Sequence, residues 1–159
     1  MEHFDWIQRH AERTPEKLAL VDAHSGRELT YRELNQRAGK FAGYLLNELG
    51  LKHGDRLSLL AKNCAEYYEI LFACSKSGLI LNTLNWRLAV PELAYVLNDC
   101  QPRLLIYEAE FQETAAALEE SMDLEHLLVL GDPVRGSQLS YREALQSDKT
   151  APPVDPKLT

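Results

Sequence analysis

From residue 56 onwards the sequence alternates short apolar runs with longer segments of helical periodicity, and this alternation limits the possible folds more than any other feature. Strands that helices cover on both faces read as nearly continuous apolar runs, and such strands run parallel. We therefore predict an α/β fold with three layers, in which a mainly parallel sheet has helices on both faces. The predicted strands are "RLSLLA" (56–61), "LILNT" (79–83), "RLLIY" (103–107) and "HLLVLG" (126–131).

Helix signals fill the intervals between these strands. Asn63 is predicted to cap a helix that ends near Ser77, where Gly78 closes it. Pro91 suits the first turn of the next helix, and "ETAAALEESM" predicts a third one. A further short helix is predicted over 140–146.

The first part of the chain predicts two helices and a hairpin. A helix is expected over 3–13, followed by paired strands at 17–22 and 27–31. Thr30 and Glu33 have the spacing of a capping box at the start of the next helix, which Gly50 is expected to end. We predict one α/β subdomain over 1–146 and a polar, proline-rich linker or truncated end over 147–159.

Composition excludes several classes of protein. The net charge is −7 with acidic residues spread along the chain, so no basic stripe can displace phosphate counterions and we expect no nucleic-acid binding. The apolar runs are too short to span a bilayer, and the charged N-terminus lacks the apolar core of a signal peptide. We therefore predict a cytoplasmic protein that is not transmembrane.

The three cysteines, Cys64, Cys74 and Cys100, are widely spaced and lie in apolar segments. The chain contains neither a CxxC pair nor an HExxH motif, so we predict no metal site. Buried, reduced thiols are the expected state.

Polar and aromatic residues follow the strand at 79–83 directly. Asn82 and Asn85 are expected to satisfy backbone groups at the strand's end. Arg87 is expected to bind a carboxylate or the carbonyls of a helix end, and Trp86 to cover the apolar floor. A scaffold role is one interpretation; the other is that Asn85 and Arg87 shape an acyl or nucleotide cleft, because ligands of open parallel sheets bind beyond the strands' carboxyl ends.

Short catalytic motifs give no further guidance. The sequence has no GxxxxGK[ST] phosphate loop, no GxGxxG after a strand and no GxSxG elbow. These motifs therefore assign no catalytic residue.

Three segments in succession carry a family resemblance: "LTYRELNQRAGKFAGYLL" (29–46), "GLKHGDRLSLLAKNCAEYYEILFACSKSG" (50–78) and "LNTLNWRLAVPELAYVLNDCQPRLLI" (81–106). Together they resemble the N-terminal part of the adenylate-forming acyl-CoA synthetases, over nearly the whole chain. The run "LNWRL" (84–88) resembles the acyl-CoA ligase version of this passage rather than that of peptide-synthetase adenylation domains. Thr83 stands where many members carry proline, and Leu79 where many carry alanine.

The resemblance implies a two-step reaction. A carboxylic acid, here expected to be a long- or medium-chain fatty acid with an aryl acid as the alternative, reacts with ATP and Mg²⁺ to form an acyl-adenylate and pyrophosphate. Coenzyme A then displaces AMP. The family's phosphate-binding segment would begin just after "DPKLT" (155–159). No residue here therefore receives a catalytic role, and we expect this chain alone to be inactive and to bind no cofactor.

Two alternatives remain open at this point. The chain could be a stand-alone α/β interaction module, or part of a peptide-synthetase adenylation domain. Whether the chain is a stand-alone module or one part of an acyl-CoA ligase, its uncovered apolar surface predicts self-association. A reading frame that continues past Thr159 into a Ser/Thr/Gly-rich loop would favour the ligase.

Overall fold

The computed structural model describes residues 5–122, 124–131 and 139–146, and the chain forms two compact units. The first unit contains the described residues up to His53, together with Asn63–Gly78 and those from Leu145 onwards. The second contains Gly54–Lys62 and the described residues of Leu79–Ala144. Residues 147–159 lie outside the described residues, so the predicted linker and the boundary at 146 stay predictions.

The described helices are α1 Trp6–Arg13, α2 Tyr31–Asn47, α3 Ala65–Ser77, α4 Val90–Cys100, α5 Gln112–Ser121 and α6 Tyr141–Ala144. The described strands are β1 Leu18–Val21, β2 Glu28–Thr30, β3 Arg56–Leu60, β4 Ile80–Thr83, β5 Leu104–Glu108, β6 His126–Leu130 and β7 Leu139–Ser140. A single 3₁₀ turn, Ala109–Phe111, separates β5 from α5. None of the described helices combines the length and the apolar character needed to cross a bilayer.

Local sequence signals explain the first unit. Strands β1 and β2 form the predicted antiparallel hairpin. The predicted capping box is present: the Glu33 amide donates to Thr30 Oγ1 at 3.3 Å, and the Thr30 amide donates to Glu33 Oε2 at 2.8 Å. Helix α3 ends at Gly78, as predicted, and this glycine has a left-handed conformation (φ 69°).

Buried charge ties the elements of the first unit together. The Glu69 side chain on α3 is fully buried and accepts hydrogen bonds from Arg27 Nη2 and from Arg37 Nε on α2, each at 2.7 Å. Lys76 near the end of α3 pairs with Asp5, the N-cap of α1, at 2.6 Å. Because Glu69 is charged and buried, these arginines are what make its burial tolerable.

The second unit is built on a parallel sheet. Five described strands lie in the order β4-β3-β5-β6-β7, and all four neighbouring pairs are parallel. Strands β3 and β5 are almost completely buried, as their continuous apolar runs predict. The α/β fold with a mainly parallel sheet is confirmed.

Some local predictions were wrong. Cys64, not Asn63, is the N-cap of α3, and its side chain makes no capping hydrogen bond; the chain is already extended at Cys64 (φ −145°, ψ 170°), so the helix begins one residue later than Asn63 would require. Of the cysteines, only Cys74 is fully buried, and burial raises the pKa of its thiol to about 12. Strand β7, just two residues long, was not predicted.

Candidate functional site

The strand order locates the candidate ligand edge of the sheet. The chain passes from β3 to its neighbour β4, and then returns to the opposite side of β3 to form β5. In open parallel sheets, ligands bind beyond the carboxyl ends of the strands at the point where the order reverses. The residues that directly follow β3, β4 and β5 therefore form the candidate site.

Backbone and side-chain hydrogen bonds hold these three strand ends together. The Leu84 amide, just after β4, donates to the Leu59 carbonyl at 2.9 Å. The Lys62 amide, just after β3, donates to Glu108 Oε2 on β5 at 3.0 Å. The side chains that follow each strand are thus brought to one edge of the sheet.

Trp86 lies at the centre of this edge. It is half-buried and packs against the second unit's core, which includes Leu60, Leu93 and Tyr107. Its ring centroid is 6.2 Å from that of Phe111, in the turn after β5. The expectation that Trp86 covers an apolar floor agrees with this packing.

Lys62 is held by a carboxylate and by two aromatic rings. Its Nζ lies 2.6 Å from Glu110 Oε2, 5.2 Å from the Trp86 centroid and 5.9 Å from the Phe111 centroid. The Lys62 and Glu110 side chains are 46% and 43% exposed, so their ion pair is weak in energy and fixes orientation more than stability.

Arg87 contacts the same tryptophan. The guanidinium carbon lies 4.1 Å from the Trp86 centroid, close enough for a cation–π contact. The predicted carboxylate or helix-end partner was wrong: within residues 5–122, 124–131 and 139–146, Arg87 makes no ion pair, because its guanidinium lies on the neighbouring indole instead.

The two asparagines differ in what they contact. Asn85 Oδ1 accepts a hydrogen bond from the Arg87 amide at 3.1 Å, so it stabilises the turn after β4 as predicted. Asn82 does not satisfy backbone groups at the strand's end; its Nδ2 donates to the buried Ser58 Oγ at 3.0 Å within the sheet. The two predicted cleft residues, Asn85 and Arg87, therefore lie together at the carboxyl edge of the sheet.

Four further residues at this site were not predicted from the sequence: Lys62, Glu108, Glu110 and Phe111. Each lies at or just after a strand whose existence was predicted, so the signal was their position in the chain. Their proximity to Trp86 depends on β3 lying between β4 and β5, and the order of strands cannot be read from hydrophobic periodicity.

The site offers two cations on an aromatic ring, which suits anionic or planar ligands. The described part of the chain contains no group of three or more His, Cys, Asp or Glu side chains that could hold a metal ion. We therefore assign no Mg²⁺ ligand to these residues.

A separate open cavity of about 490 Å³ lies at the opposite edge of the sheet, where β5 and β6 begin. Arg103 and Glu125 line it together with apolar side chains such as Met122. Arg103 already donates to Asp55 and Glu125, and the hydrogen bonds from Arg103 hold the pKa of Glu125 below its usual value. Because Arg103 already binds two carboxylates, this cavity is a poorer candidate for an anionic substrate than the carboxyl edge of the sheet.

Comparison with known proteins gives a consistent result. The AMP-binding enzyme family model matches residues 7–158. The chain is 41% identical over 123 residues to a fatty acid–[acyl-carrier-protein] ligase of Streptomyces coeruleorubidus, covering 70% of this chain and 23% of that protein. It is 31% identical over 145 residues to a long-chain-fatty-acid–CoA ligase of Thermus thermophilus, covering 89% and 27%.

Solved structures show the same relationship. The anthranilate CoA ligase AuaEII, in complex with anthranoyl-AMP, superimposes with a TM-score of 0.85 at 27% identity, covering 96% of this chain and 29% of that one. The chain thus spans about a quarter of the length of the curated relatives it matches. The resemblance to acyl-CoA synthetases is confirmed, and the chain belongs to the AMP-binding enzyme family.

Proposed function

We propose that this chain contributes one part of an ATP-dependent acid–thiol ligase. The observation that carries the proposal is the family match over 7–158, on a chain whose relatives are ligases that join an acid to coenzyme A or to a carrier protein. The strand order supports it, because it provides an open carboxyl edge of the kind that binds ligands in parallel sheets.

The proposed reaction has two balanced steps. The carboxylate oxygen of the acid bonds to the α-phosphorus of ATP as the bond to pyrophosphate breaks. The sulfur of coenzyme A then bonds to the acyl carbon as AMP leaves, and the thiol proton is released. Bound Mg²⁺ would reduce the negative charge on ATP. The residues of this chain bind and orient, and we assign none of them to bond making or breaking.

Asn85 and Arg87 are proposed to shape the acyl or nucleotide cleft. Arg87 lies on Trp86 without an ion-pair partner in the described part of the chain, so its guanidinium can donate hydrogen bonds to an anionic group of the substrate. Asn85 fixes the turn that carries it. Lys62 adds a second cation at the same ring, although Glu110 balances its charge.

A fatty acid of medium or long chain is the proposed substrate. Two relatives support it by name, the carrier-protein ligase of Streptomyces coeruleorubidus and the CoA ligase of Thermus thermophilus. An aryl acid is the second candidate, because AuaEII is an anthranilate ligase of similar fold. A cytoplasmic location and self-association of the chain stay predictions.

The first test uses the chain by itself. We expect the purified 159-residue chain to release no AMP above background when it is supplied with ATP, Mg²⁺, coenzyme A and octanoate, palmitate or benzoate in turn. Acid-dependent turnover would show that the site is complete within these residues, which contradicts the proposal that they are one part of it.

The second test gives the chain a partner of known activity. In a hybrid enzyme, this chain replaces the matching region of the Thermus thermophilus ligase. Acid-dependent and CoA-dependent AMP release by a folded hybrid supports the proposed function. A hybrid with a cooperative thermal transition but no adenylate formation argues against it.

A further inference from the structure

Two carboxylates of one segment hold Lys62 at its backbone and at the tip of its side chain. Glu108, the last residue of β5, accepts a hydrogen bond from the Lys62 backbone N–H at 3.0 Å. Glu110 follows two residues later in the 3₁₀ turn, and its Oε2 lies 2.6 Å from Lys62 Nζ. Because the backbone contact keeps Lys62 beside this segment, the Glu110 carboxylate stays within reach of the ammonium group.

The two cations of the carboxyl edge differ in their access to a ligand. Lys62 Nζ and the Arg87 guanidinium carbon lie 5.2 Å and 4.1 Å from the Trp86 ring centroid. Lys62 has a carboxylate partner, whereas Arg87 makes no ion pair within the described residues. An anionic ligand that approaches Trp86 therefore meets one open cation and one cation that is already bound to a carboxylate of the chain.

The ion pair between Lys62 and Glu110 is easily separated. The two side chains are 46% and 43% exposed, and ion pairs at such positions contribute little free energy because water screens them. Both groups also regain hydration when the pair opens. Glu110 is therefore a partner that a ligand can displace from Lys62.

The charge of the ligand decides whether it can replace Glu110. A monocarboxylate has the same single charge as Glu110 and lacks the advantage of being tethered beside Lys62, so it gains little from the exchange. A phosphate ester has a charge of about −1.5 to −2 near pH 7 and three acceptor oxygens. It attracts an ammonium group more strongly than a carboxylate does, and guanidinium groups also bind phosphate well. Lys62 is therefore expected to bind a phosphate group rather than the carboxylate of a fatty acid.

We propose that Glu110 is an internal counterion that competes with the phosphate group of a ligand for Lys62, and that it thereby lowers the affinity of the carboxyl edge for that ligand. The proposal rests on the proposed function only in assigning this edge to a substrate of the ligase. The phosphate group would belong to ATP or to coenzyme A. From the strength of exposed ion pairs, we expect Glu110 to weaken phosphate binding about threefold to fivefold.

NMR titration of the 159-residue chain tests the proposal directly. The chain has two tryptophans, and the Trp6→Phe variant assigns the indole N–H signal of Trp86. Methyl phosphate and acetate are added separately to about 50 mM at constant ionic strength, a range that suits millimolar dissociation constants. Methyl phosphate should shift the Trp86 signal, and Glu110→Gln should lower its dissociation constant about threefold to fivefold.

Further variants separate competition for Lys62 from a general change of charge. The matched control Glu119→Gln removes the same charge from an exposed position of α5 and should change the dissociation constant less than about 1.5-fold. In Lys62→Met, Glu110→Gln should give a much smaller gain than in the wild type, because no ammonium group remains to be released. Lys62→Met should weaken the binding of methyl phosphate more than that of acetate. Separate titrations with ATP and coenzyme A then identify the source of the phosphate group, as the ligand whose affinity increases in Glu110→Gln.

Three results would overturn the proposal, with the folding of every variant checked by its thermal transition. One is a Trp86 signal that methyl phosphate shifts in neither the wild type nor Glu110→Gln. Another is an equal dissociation constant for these two chains. The last is a gain from Glu110→Gln that is undiminished in Lys62→Met. These measurements follow binding without turnover, so a hybrid enzyme that forms acyl-CoA would retain the proposed ligase function even if one of these results were obtained.

Discussion

Glu69 shows how a single residue can connect three elements of the first unit. Its buried carboxylate on α3 accepts from Arg27, which precedes β2, and from Arg37 on α2. Burial of a lone carboxylate would be strongly unfavourable, whereas two guanidinium donors compensate for its lost hydration. The pairing is long-range in sequence, so no local pattern could have predicted it.

Replacing that charge should be costly. Breaking a buried ion pair typically costs about 3–5 kcal/mol, but Arg27 and Arg37 are 29% and 32% exposed and can regain water. We expect Glu69→Gln to lower the free energy of unfolding by about 2 kcal/mol in urea titrations. The control Glu16→Gln removes an exposed partner of Arg32 and should cost less than about 0.5 kcal/mol. Equal effects of the two changes would refute this role for Glu69.

Gly78 is constrained both by its backbone conformation and by a neighbouring side chain. Its φ is 69°, and a Cβ placed on it would lie 2.2 Å from His53 Cδ2. Gly26 has a similar φ of 71° but open space around it, so the two glycines separate backbone strain from steric overlap.

We expect Gly26→Ala to cost about 1 kcal/mol and Gly78→Ala about 2 kcal/mol, since the second also displaces the His53 ring. Adding His53→Ala to Gly78→Ala should remove the overlap and recover the additional stability that Gly78→Ala loses relative to Gly26→Ala. Chemical denaturation of the four variants, with His53→Ala alone as the fourth, measures the coupling. If the coupling is zero, the overlap with His53 has no energetic consequence.

At the scale of the element, α2 depends on its capping box. Thr30→Ala removes the acceptor for the Glu33 amide and should lower stability by about 1 kcal/mol. Thr30→Ser keeps a hydroxyl at the same position and should recover most of the loss. Thermal unfolding of both variants tests the expectation, and a Ser variant as unstable as the Ala variant would contradict it.

The same box gives α2 a pH dependence. Hydrogen bonds from the Thr30 amide, and then from its hydroxyl, lower the pKa of Glu33 from its usual 4.5. A carboxyl with a depressed folded pKa stabilises the protein above its unfolded pKa, and this contribution disappears as the pH falls through the folded pKa. Glu33→Gln keeps an acceptor but no charge. The wild type should therefore melt higher than this variant at pH 6–7, and the difference should shrink below about pH 4.5. A difference in melting temperature that is constant from pH 7 to pH 3 would contradict the assignment.

Elements with strong local signals could be predicted from the sequence, whereas weak ones could not. The β3 and β5 runs, the Thr30–Glu33 box and Gly78 each act within a few residues, so their patterns survive in the chain. The start of α3 could not be predicted in this way. The Asn63 side chain is of a type that caps helices, but the backbone becomes helical only after Cys64. Strand β7 has two residues, too few for any periodicity, and depends on pairing with β6.

At the scale of the whole molecule, the candidate site follows from topology. The position of Asn85 and Arg87 just after β4 could be predicted, because polar residues after an apolar strand are visible in the sequence. Lys62 and Glu110 could not be connected with them, because they lie on separate segments that only the order β4-β3-β5 brings together. Arg87's contact with Trp86, in place of a carboxylate, also depends on how the turn after β4 directs its side chain.

Arg87→Ala in the hybrid enzyme tests the site itself. If Arg87 binds an anionic group of the substrate, the KM for ATP or for the acid should rise about tenfold with kcat changed less than about threefold. The control Arg13→Ala removes an exposed arginine from α1 and should leave both constants unchanged. Unaltered kinetics for Arg87→Ala would leave this residue with a scaffold role.

The most direct test of the central claim is the initial rate of AMP release by the unmutated hybrid, in which this chain stands in for the matching region of the Thermus thermophilus ligase. We expect release that requires both the fatty acid and ATP, and formation of acyl-CoA when coenzyme A is added. A hybrid that folds cooperatively, binds ATP and yet releases no AMP would contradict it.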